Sequence, residues 1–572
     1  MREFHQDGPR LGNQYLDDRL LRSWLRRVLP PEMHARVHLD LQRFGARVAT
    51  DILALGDAAE AAPPRLVQFD PWGRRVDRIE TSESWRMLDR ISAEEGLVAI
   101  GYERASGPLS RVEQFARLYL FAPSSATYSC PLAMSDGAAR CLELYGTSPR
   151  LRDALRHLTT RNPDEFWTSG QWMTERTGGS DVSGTSTLAS RDGDAFRLRG
   201  TKWFTSATTA QMAMTLARID GAPAGSRGLS LFHLELRDPD GRMNGIQVLR
   251  LKDKLGTRAL PTAELALDGT RAWLVGEEGQ GVRTIATLFT ITRVYNAVAA
   301  VAGMRRALAL ARDFAGRRLV FGRLLAAQPL HVETLADMAV EVEAGFHLAF
   351  RVVELLGATE CGTATARDAA LLRVLTPVAK LFTGKQAVAV ASEALEAFGG
   401  AGYIEDTGLP RLLRDAQVLS IWEGTTNVLS LDVLRALDTS DALHALVADA
   451  RDQLSRLTAS ELAASAASAT HALEQAEHSA ADAVQAGSEY REATARTFAF
   501  AMARAYAAAL MLTHADWSLA HEGDRRAAIA AERWCARSLV SELHADDAYR
   551  DAARAVALDV AAPVTALSMR AG

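Results

Sequence analysis

Apolar residues follow two different spacings along this chain, and the changes between them divide it into regions. Residues 13–160 are predicted to be mainly helical, because apolar side chains recur at helical spacing between breaks rich in Pro, Gly and Ser. One break is the predicted loop that holds Pro63-Pro64 and Pro71-Trp72-Gly73. From about residue 167 to 275, short runs of alternating polar and apolar residues predict a small sheet or barrel. From residue 282 onward, the helical spacing returns in long segments.

These spacings predict the main elements and the domain order. The predicted strands are 196–206, 212–219, 229–236, 246–251 and 263–267. The predicted long helices are 282–317, 328–357, 366–398 and 426–437, which suit a four-helix bundle. We therefore expect a multidomain α+β protein. Its expected parts are an N-terminal helical domain, a middle β-domain, a C-terminal helical bundle and an appended helical domain, over residues 1–165, 166–280, 281–438 and 439–572.

The segment after residue 438 is dominated by Ala, the strongest helix former. Helices are predicted near 441–457, 461–486, 489–513, 524–540 and 542–560. Low complexity alone also fits a disordered tail. Leu, Val, Phe and Trp recur on one face, however, and this favours a packed helical domain. The segment holds 12 Arg, no Lys and 18 acidic residues, a formal balance of −6.

Charge and cysteine content narrow the classes of function. The net charge of −5 provides no overall attraction to nucleic acid or to a membrane surface. The four cysteines are dispersed without a CxxC pair, which argues against a zinc site or a disulfide framework. We therefore expect a cytoplasmic protein that binds no metal. The first residues contain no apolar segment of a signal peptide, and no uninterrupted apolar stretch approaches the ~20 residues of a membrane span.

Candidate chemistry concentrates near the end of the predicted bundle. The run Ser420–Asn427 (SIWEGTTN) places the carboxylate of Glu423 before a glycine. Upstream lie Phe398–Tyr403 (FGGAGY) and Leu409–Ala416 (LPRLLRDA). Taken alone, Glu423 would fit an exposed helix start, where the helix dipole favours a carboxylate. Its meaning therefore depends on further segments elsewhere in the chain.

Two such segments lie where predicted helix gives way to predicted sheet. Gln171–Val182 (QWMTERTGGSDV) offers hydroxyls and loop N–H groups that suit a flat ring carrying carbonyls and ring nitrogens. An ordinary Gly-rich loop is the alternative. Gly200–Ser206 (GTKWFTS) lies on a predicted strand, where an aromatic side chain usually belongs to the core.

A third segment, Arg317–Leu325 (RRLVFGRLL), ends the first long predicted helix. The planar guanidinium of Arg318 suits a phosphate, because it can grip two phosphate oxygens at once. The alternative is basicity at a helix C-terminus, which the helix dipole favours and which applies to Arg317 and Arg323.

Together, these segments resemble the acyl-CoA dehydrogenase flavoproteins over residues 100–437, most strongly over 170–437. The AidB-type (adaptive alkylation-response) branch is the nearest likeness, through the Thr174–Asp181 loop, Arg250–Gly256 (RLKDKLG), the Trp before Glu423 and the helical extension. The resemblance implies that family's fold. It also implies α,β-dehydrogenation of an acyl-CoA thioester, with Glu423 as the base and hydride transfer to N5 of FAD.

The resemblance also assigns the binding residues. The loop hydroxyls and backbone meet the flavin and the CoA arm, while Trp203 packs on the flavin and Thr205 hydrogen-bonds it. The implied FAD contacts are Met173, Thr174, Ser180, Trp203, Phe204, Thr205, Ser206, Arg318, Phe321, Gly399, Gly400, Thr425 and Asn427. The implied substrate contacts are Ser180, Arg293, Trp422 and Gly424.

A second base position exists in this family, just before an Arg on the helix that follows the β-domain. Here the pair is Thr292-Arg293, and Thr cannot act as a carboxylate base, so Glu423 is the only candidate. Arg293 matches the Arg that helps to hold CoA in this family. Its alternative role is a surface ion pair.

The resemblance implies partners as well. Arg318, Phe321, Gly399 and Gly400 would complete the FAD site of a neighbouring subunit, which predicts a homotetramer built as a dimer of dimers. Re-oxidation by an electron-transferring flavoprotein is the family's usual route.

Two alternatives to the dehydrogenase function are considered, a DNA-binding protein and a flavin monooxygenase. The AidB-type branch is linked to DNA, so the chain could bind and protect DNA in alkylation stress with little dehydrogenase activity. The acidic extension disfavours this, although Arg525, Arg526, Arg533 and Arg537 could form a local basic patch. A flavin monooxygenase on the same fold is disfavoured because such enzymes commonly lack the Glu.

Overall fold

The chain forms two compact units, Met1–Thr425 and Thr426–Gly572. The computed structural model describes residues 6–238, 240–540 and 547–561. The boundary between the units precedes the predicted domain boundary at residue 438. The reason is that the helix Thr426–Thr439 packs against the helix Ser488–Glu522 of the second unit.

The N-terminal part of the first unit is helical, with one hairpin. Its helices are α1 (Arg19–Val28), α2 (Pro31–Arg47), α3 (Asp51–Ala61), α4 (Glu83–Glu94), α5 (Ala99–Glu103), α6 (Ser110–Phe121), α7 (Ser129–Tyr145) and α8 (Pro149–Leu158). Strands β1 (Arg65–Phe69) and β2 (Arg75–Glu80) pair antiparallel where the sequence predicts only a loop. The hairpin forms because Gly73, with a φ of 80°, permits the turn between two short β-forming runs.

The middle part is a β-domain, as expected. Its strands are β3 (Ser169–Trp172), β4 (Leu188–Asp192), β5 (Ala195–Ser206), β6 (Met212–Ile219), β7 (Leu229–Glu235), β8 (Ile246–Leu251) and β9 (Thr262–Val275). Strands β6, β4, β5, β9 and β7 pair in that order, and β7 pairs back to β6, so the sheet closes into a ring. Strands β3 and β4 were not predicted, because both are short and rich in polar residues.

Long helices complete the first unit. They are α9 (Gly281–Ala315), α10 (Pro329–Glu360) and α11 (Ala366–Ala397), followed by the shorter α12 (Pro410–Val418). A small hairpin of β10 (Leu319–Val320) and β11 (Arg323–Leu324) follows α9. Helix α9 packs against α7, α10 and α11, so it is apolar on most of its surface.

The second unit is helical and packed, as the apolar face of the extension predicts. It contains α13 (Thr426–Thr439), α14 (Ala442–Ser455), α15 (Ala463–Ala486), α16 (Ser488–Glu522), α17 (Arg526–Cys535) and α18 (Asp547–Leu558). Helix α16 packs against α13, α14, α15 and α17, and its buried Ala side chains allow close approach. The predicted helix 542–560 begins within residues 541–546, which lie outside the described residues.

Two of these helices, α9 and α16, are long and apolar enough to cross a membrane by length and composition alone. In their most apolar windows, 67% and 83% of the residues are buried inside the structure. Burial of this kind is what core helices show.

Candidate active site

Glu423 lies in the loop after α12, where the backbone is left-handed. Its φ is 56°, and that of Gly424 is 102°. A positive φ is uncommon for a residue other than glycine, and such strain persists only where the surroundings enforce it. Contacts from two helices do so here.

Helix α9 supplies the contacts to Glu423 itself. Thr292 Oγ1 donates a hydrogen bond to Glu423 Oε2 over 2.6 Å. The next residue, Arg293, donates from Nε to the backbone carbonyl oxygen of Glu423 over 3.3 Å. The structure thus brings Thr292, Arg293 and Glu423 together. The sequence did not predict that Arg293 holds the backbone of the Glu423 loop.

One turn along α9, Asn296 holds the same loop at two more points. Its Nδ2 donates to the carbonyl oxygen of Leu419 over 3.0 Å, and its Oδ1 accepts from Trp422 Nε1. This hydrogen bond from the indole N–H fixes the orientation of the Trp422 ring. The sequence analysis missed Asn296, although its four-residue spacing from Thr292 places both on one helix face.

Lys380 on α11 supports the loop from a third direction. It is buried, and its Nζ donates to the carbonyl oxygen of Gly424 over 2.6 Å. Burial lowers the pKa of Lys380 to about 7, and the Glu423 carboxylate opposes that shift only in part. The sequence analysis missed this residue too. Its only signal was a lysine within an otherwise apolar helical segment, since its partner is a backbone atom far along the chain.

The strand-side segments are joined to each other through the sheet. The backbone N–H of Trp203 donates to the backbone carbonyl oxygen of Thr174 over 2.9 Å. Beside this bond, Lys202 Nζ and Glu175 Oε1 form a fully buried ion pair at 2.7 Å. Burial opposes ionisation of Glu175, but Lys202 and neighbouring hydroxyls outweigh it and lower the pKa of Glu175 to about 2. The sequence analysis quoted both residues without giving either a role.

The predicted flavin residues on β5 differ in their burial and in their partners. Trp203 is covered by cationic side chains, with Lys252 Nζ 3.2 Å from its ring centroid. Thr205 is fully buried, and its hydroxyl donates to the carbonyl oxygen of Ala263 over 2.7 Å. Phe204, in contrast, is 39% exposed. Both Trp203 and Thr205 therefore have partners within the protein, and Trp203 remains partly exposed.

Ser206 is buried and has a partner within the protein. Ser206 Oγ and Thr262 Oγ1 lie 3.1 Å apart, and Lys254 Nζ donates to Thr262 Oγ1 over 3.1 Å. Burial raises the pKa of the Cys130 thiol to about 12, and the charges of Lys254 and Glu423 have smaller effects on it.

Several predicted site residues are exposed. Ser180, Gly399, Gly400 and Thr425 lie on the surface of the first unit, and Phe321 is 98% exposed at the tip of the β10–β11 hairpin. A Cβ added at Gly399 or Gly400 would meet nothing within 4 Å.

Arg318, at the base of that hairpin, differs from Arg317 in its ion pairing. Arg317 pairs with Asp313 at 2.9 Å, whereas Arg318 forms no ion pair in the part of the chain that the structure describes. Asn427 belongs to the second unit, where Arg496 donates to its Oδ1 over 3.3 Å.

A cavity opens beside Trp422 between α9, α11 and α12. Its empty space, including the part that is open to solvent, is about 780 Å³. Much of its wall is formed by Ala and Gly, with Leu412 and Leu419 on α12, while Thr257, Arg411 and Asp415 add polar groups. A cavity so lined has room for an apolar ligand next to the residue that precedes Glu423.

The strand side also carries a buried polar atom without a partner. Gln171, two residues before Met173, has its side-chain Oε1 buried with no hydrogen bond among the described residues. A buried acceptor that lacks a donor is costly, so it suits a bound group that carries N–H donors. No cluster of three or more His, Cys, Asp or Glu side chains in the described ranges is arranged to hold a metal ion.

Family models match nearly all of the chain. Residues 9–165 match the adaptive response protein AidB N-terminal domain, and residues 170–270 match the acyl-CoA dehydrogenase middle domain. Residues 279–437 match the acyl-CoA dehydrogenase C-terminal domain, and residues 441–561 match the acyl-CoA dehydrogenase 11 C-terminal domain-like family.

Individual relatives agree with these matches. The chain is 46% identical over 557 residues to acyl-CoA dehydrogenase family member 11 of Caenorhabditis elegans, covering 94% of this chain and 90% of that protein. It is 35% identical over 420 residues to the putative acyl-CoA dehydrogenase AidB of Escherichia coli (strain K12), covering 72% and 76%.

Solved structures share the fold. The crystal structure of Caenorhabditis elegans ACDH-11 in complex with C11-CoA matches with a TM-score of 0.95 at 44% identity, covering 98% of this chain and 97% of that one. An acyl-CoA dehydrogenase from Bacillus anthracis complexed with FAD matches with a TM-score of 0.73, covering 97% and 96%. At 18% identity, that second likeness shows the fold alone.

Proposed function

Because this chain belongs to the acyl-CoA dehydrogenase family, we propose that it dehydrogenates an acyl-CoA thioester at the α,β bond with Glu423 as the general base. The resemblance expected from the sequence is confirmed, including its AidB-type character and the appended helical domain. Enzymes of this family use FAD, as the sequence predicts.

The hydrogen bond from Thr292 Oγ1 to Glu423 Oε2 is the observation that carries this proposal. It orients the carboxylate and leaves Oε1 to accept the α-proton, so the base needs little rearrangement when substrate arrives. The backbone N–H of Glu423 can donate to the thioester carbonyl oxygen. Such a donor makes the α-proton more acidic by stabilising the negative charge that develops on that oxygen.

FAD, when bound, supplies the oxidant that accepts the β-hydride at flavin N5. On the protein side, Met173, Thr174 and Gln171 offer backbone and side-chain groups for the edge of a flat ring, and the unpaired Gln171 Oε1 supports that fit. Within β5, the proposed flavin contacts are Trp203, Phe204, Thr205 and Ser206, of which Phe204 is the most exposed.

The remaining cofactor contacts are proposed to come from a second copy of the chain. Arg318 has no ion-pair partner in the described structure, and Phe321 projects from an exposed hairpin, so both are available to a neighbouring FAD. Gly399 and Gly400 are exposed without side chains and permit close backbone approach. This supports the homotetramer expected from the sequence, with an electron-transferring flavoprotein as the proposed acceptor.

Anaerobic addition of acyl-CoA thioesters to the purified protein tests the proposal directly. We expect yellow protein with about one FAD per chain, and loss of the flavin absorbance with at least one straight-chain acyl-CoA. Acyl groups of C4 to C16 are compared, with free CoA as the control. Protein that is fully loaded with FAD and keeps its flavin oxidised with every thioester would contradict the proposal.

A further inference from the structure

Gly303 occupies a helix-interior position, where glycine is usually unfavourable. It lies within the 35-residue helix α9, and glycine in a helix interior is less stable than alanine. A Cβ added at Gly303 would meet nothing within 4 Å. At Gly345 on α10, in contrast, a Cβ would lie 3.1 Å from Met304, so close packing explains that glycine. Neither packing nor a turn explains Gly303.

The open space beside Gly303 is the cavity next to Trp422. Gly303 and Ala299 line it from α9, and Ala387 and Ala391 line it from α11. Every one of these positions has a small side chain or none. The cavity therefore owes its width to absent side-chain atoms.

Distances along α9 relate the proposed base to this cavity. Thr292 contacts Glu423, and at 1.5 Å per residue Ala299 lies about 10.5 Å and Gly303 about 16.5 Å further along the helix axis. Each bond of an extended chain spans about 1.2 Å. An acyl chain therefore reaches Ala299 after about nine bonds and Gly303 after about fourteen.

Helix α12 gives the length of the cavity itself. Leu419 and Leu412 both line the cavity, and seven residues separate them, which corresponds to about 10 Å. At the Leu412 end, Arg411 is held by an ion pair with Asp57 at 2.9 Å. The cavity thus runs away from Trp422 toward a charged end wall.

We propose that Gly303 determines the longest acyl chain that the enzyme accepts, by leaving room for the distal methylenes of an unbranched chain of about ten carbons or more. The proposal rests on the proposed function, since it places the tail of the acyl-CoA substrate. A side chain at residue 303 would lean toward the N-terminus of α9, over the space next to Ala299. It would therefore obstruct long chains and leave short ones untouched.

The test uses the full-length, FAD-loaded protein and its Gly303→Leu variant. Flavin reduction is measured with straight-chain acyl-CoAs from C4 to C16, and C4 on the same variant is the internal control. We expect C4 and C6 to react as in the wild type, within about twofold. Each methylene kept out of the apolar cavity should weaken binding by about fourfold, so C12 and longer chains should lose tenfold or more.

Two further variants keep the test decisive. Gly303→Ala should fold readily, because alanine favours the helix, and should affect only the longest chains. Ala299→Leu should set a limit about five bonds shorter than Gly303→Leu does. Equal losses at all chain lengths, or unchanged activity with C12 to C16 in a folded Gly303→Leu protein, would overturn the proposal.

A binding measurement separates this inference from the proposed function. Calorimetric titration with C4-CoA and C12-CoA in the Glu423→Gln background removes turnover from the experiment. If the wild type reduces no flavin but Gly303→Leu still weakens C12 binding relative to C4, the role of Gly303 stands and the proposed reaction fails. If the two chain lengths respond alike, the role of Gly303 fails.

Discussion

The two sides of the candidate site are built differently. On the base side, Thr292, Asn296 and Lys380 hold the loop around Glu423 from two helices of the same chain. On the strand side, the loop after Met173 is tied down by one buried ion pair, while Ser180 and Phe204 remain exposed. The comparison indicates that the chain's own side chains position Glu423, the proposed base, whereas the strand side offers surfaces that the proposed cofactor and a second subunit would cover.

The two sides also differ in the interactions that stabilise them. The positive φ at Glu423 costs of the order of 1–3 kcal/mol, and several hydrogen bonds to the same loop offset that cost. The strand side depends on the contact between Glu175 and Lys202. Each side should therefore fail in its own way when its main support is removed.

The largest effect is expected at the buried ion pair. Lys202→Met leaves the Glu175 carboxylate buried without its partner, which typically costs about 3–5 kcal/mol. We expect a lower unfolding temperature and loss of FAD, measured by calorimetry and flavin fluorescence. The double variant Lys202→Met with Glu175→Leu should recover much of the stability. If Lys202→Met alone unfolds as the wild type does, this pair does not hold the strand side.

The same pair predicts a response to acid. The pKa of Glu175 is lowered from 4.5 to about 2, so its contribution to stability is present above pH 4.5 and is lost as pH falls toward 2. Glu175→Gln should show a weaker acid dependence in that window, measured as unfolding temperature against pH. Identical slopes for the two proteins would contradict this assignment.

The next largest effect is expected at Arg318, which is proposed to contact the FAD of a neighbouring subunit. Arg318→Ala should weaken FAD binding by about 10–100-fold, the loss typical of hydrogen bonds to a charged group. It should also shift the oligomer toward smaller species, since a ligand that bridges two chains stabilises their assembly. Arg317→Ala is the matched control, because Arg317 already pairs with Asp313 and should change FAD retention little. A wild-type monomer that is fully loaded with FAD would contradict the cross-subunit role.

A smaller effect is expected at Lys380 on the base side. Lys380→Met leaves the Gly424 carbonyl without its donor, which should slow flavin reduction by about tenfold while FAD stays bound. The bond is charge-assisted only while Lys380 is protonated, and its pKa is about 7. The ratio of wild-type to variant rate should therefore be largest below pH 7 and decrease above it. A ratio that does not change between pH 6 and 8 would contradict a role for this charge.

We expect no strong binding of DNA by the appended helical domain. Arg525 is paired with Glu461 at 3.3 Å, and the segment after residue 438 carries a balance of −6. The full chain should bind random duplex at physiological salt no better than weak non-specific binders do, at roughly 10⁻⁴–10⁻⁶ M. Exchange of Arg525 and Arg526 for Gln should leave binding unchanged in a fluorescence anisotropy assay. Tight, salt-sensitive binding that this exchange abolishes would favour the nucleic-acid function instead.

The architecture was predictable from the sequence where one pattern persisted over many residues. The helices α9, α10 and α11 lie within a few residues of their predicted bounds, because apolar side chains kept the helical spacing for about nine turns. Strands β6 and β8 also have their predicted bounds, because Gly, Asp and Pro mark the turns around them. The β1–β2 hairpin was missed because its runs are short and half-exposed.

The site was less predictable, because its geometry depends on contacts that no local pattern carries. The register of β5 shifts between Lys202 and Thr205, and a shift of this kind changes which side chains face the site. The roles predicted for Trp203, Phe204, Thr205 and Ser206 therefore stay predictions. Lys380 was missed for a related reason, since the Gly424 carbonyl that it contacts lies 44 residues away.

Anaerobic stopped-flow reduction of the Glu423→Gln variant by an acyl-CoA that the wild type oxidises tests the central claim most directly. Gln keeps nearly the same shape but cannot accept the α-proton. The account predicts that the variant binds FAD and substrate as the wild type does, while flavin reduction slows by about 10²–10⁴-fold or more. Reduction at the wild-type rate would contradict the account and place the base on another residue.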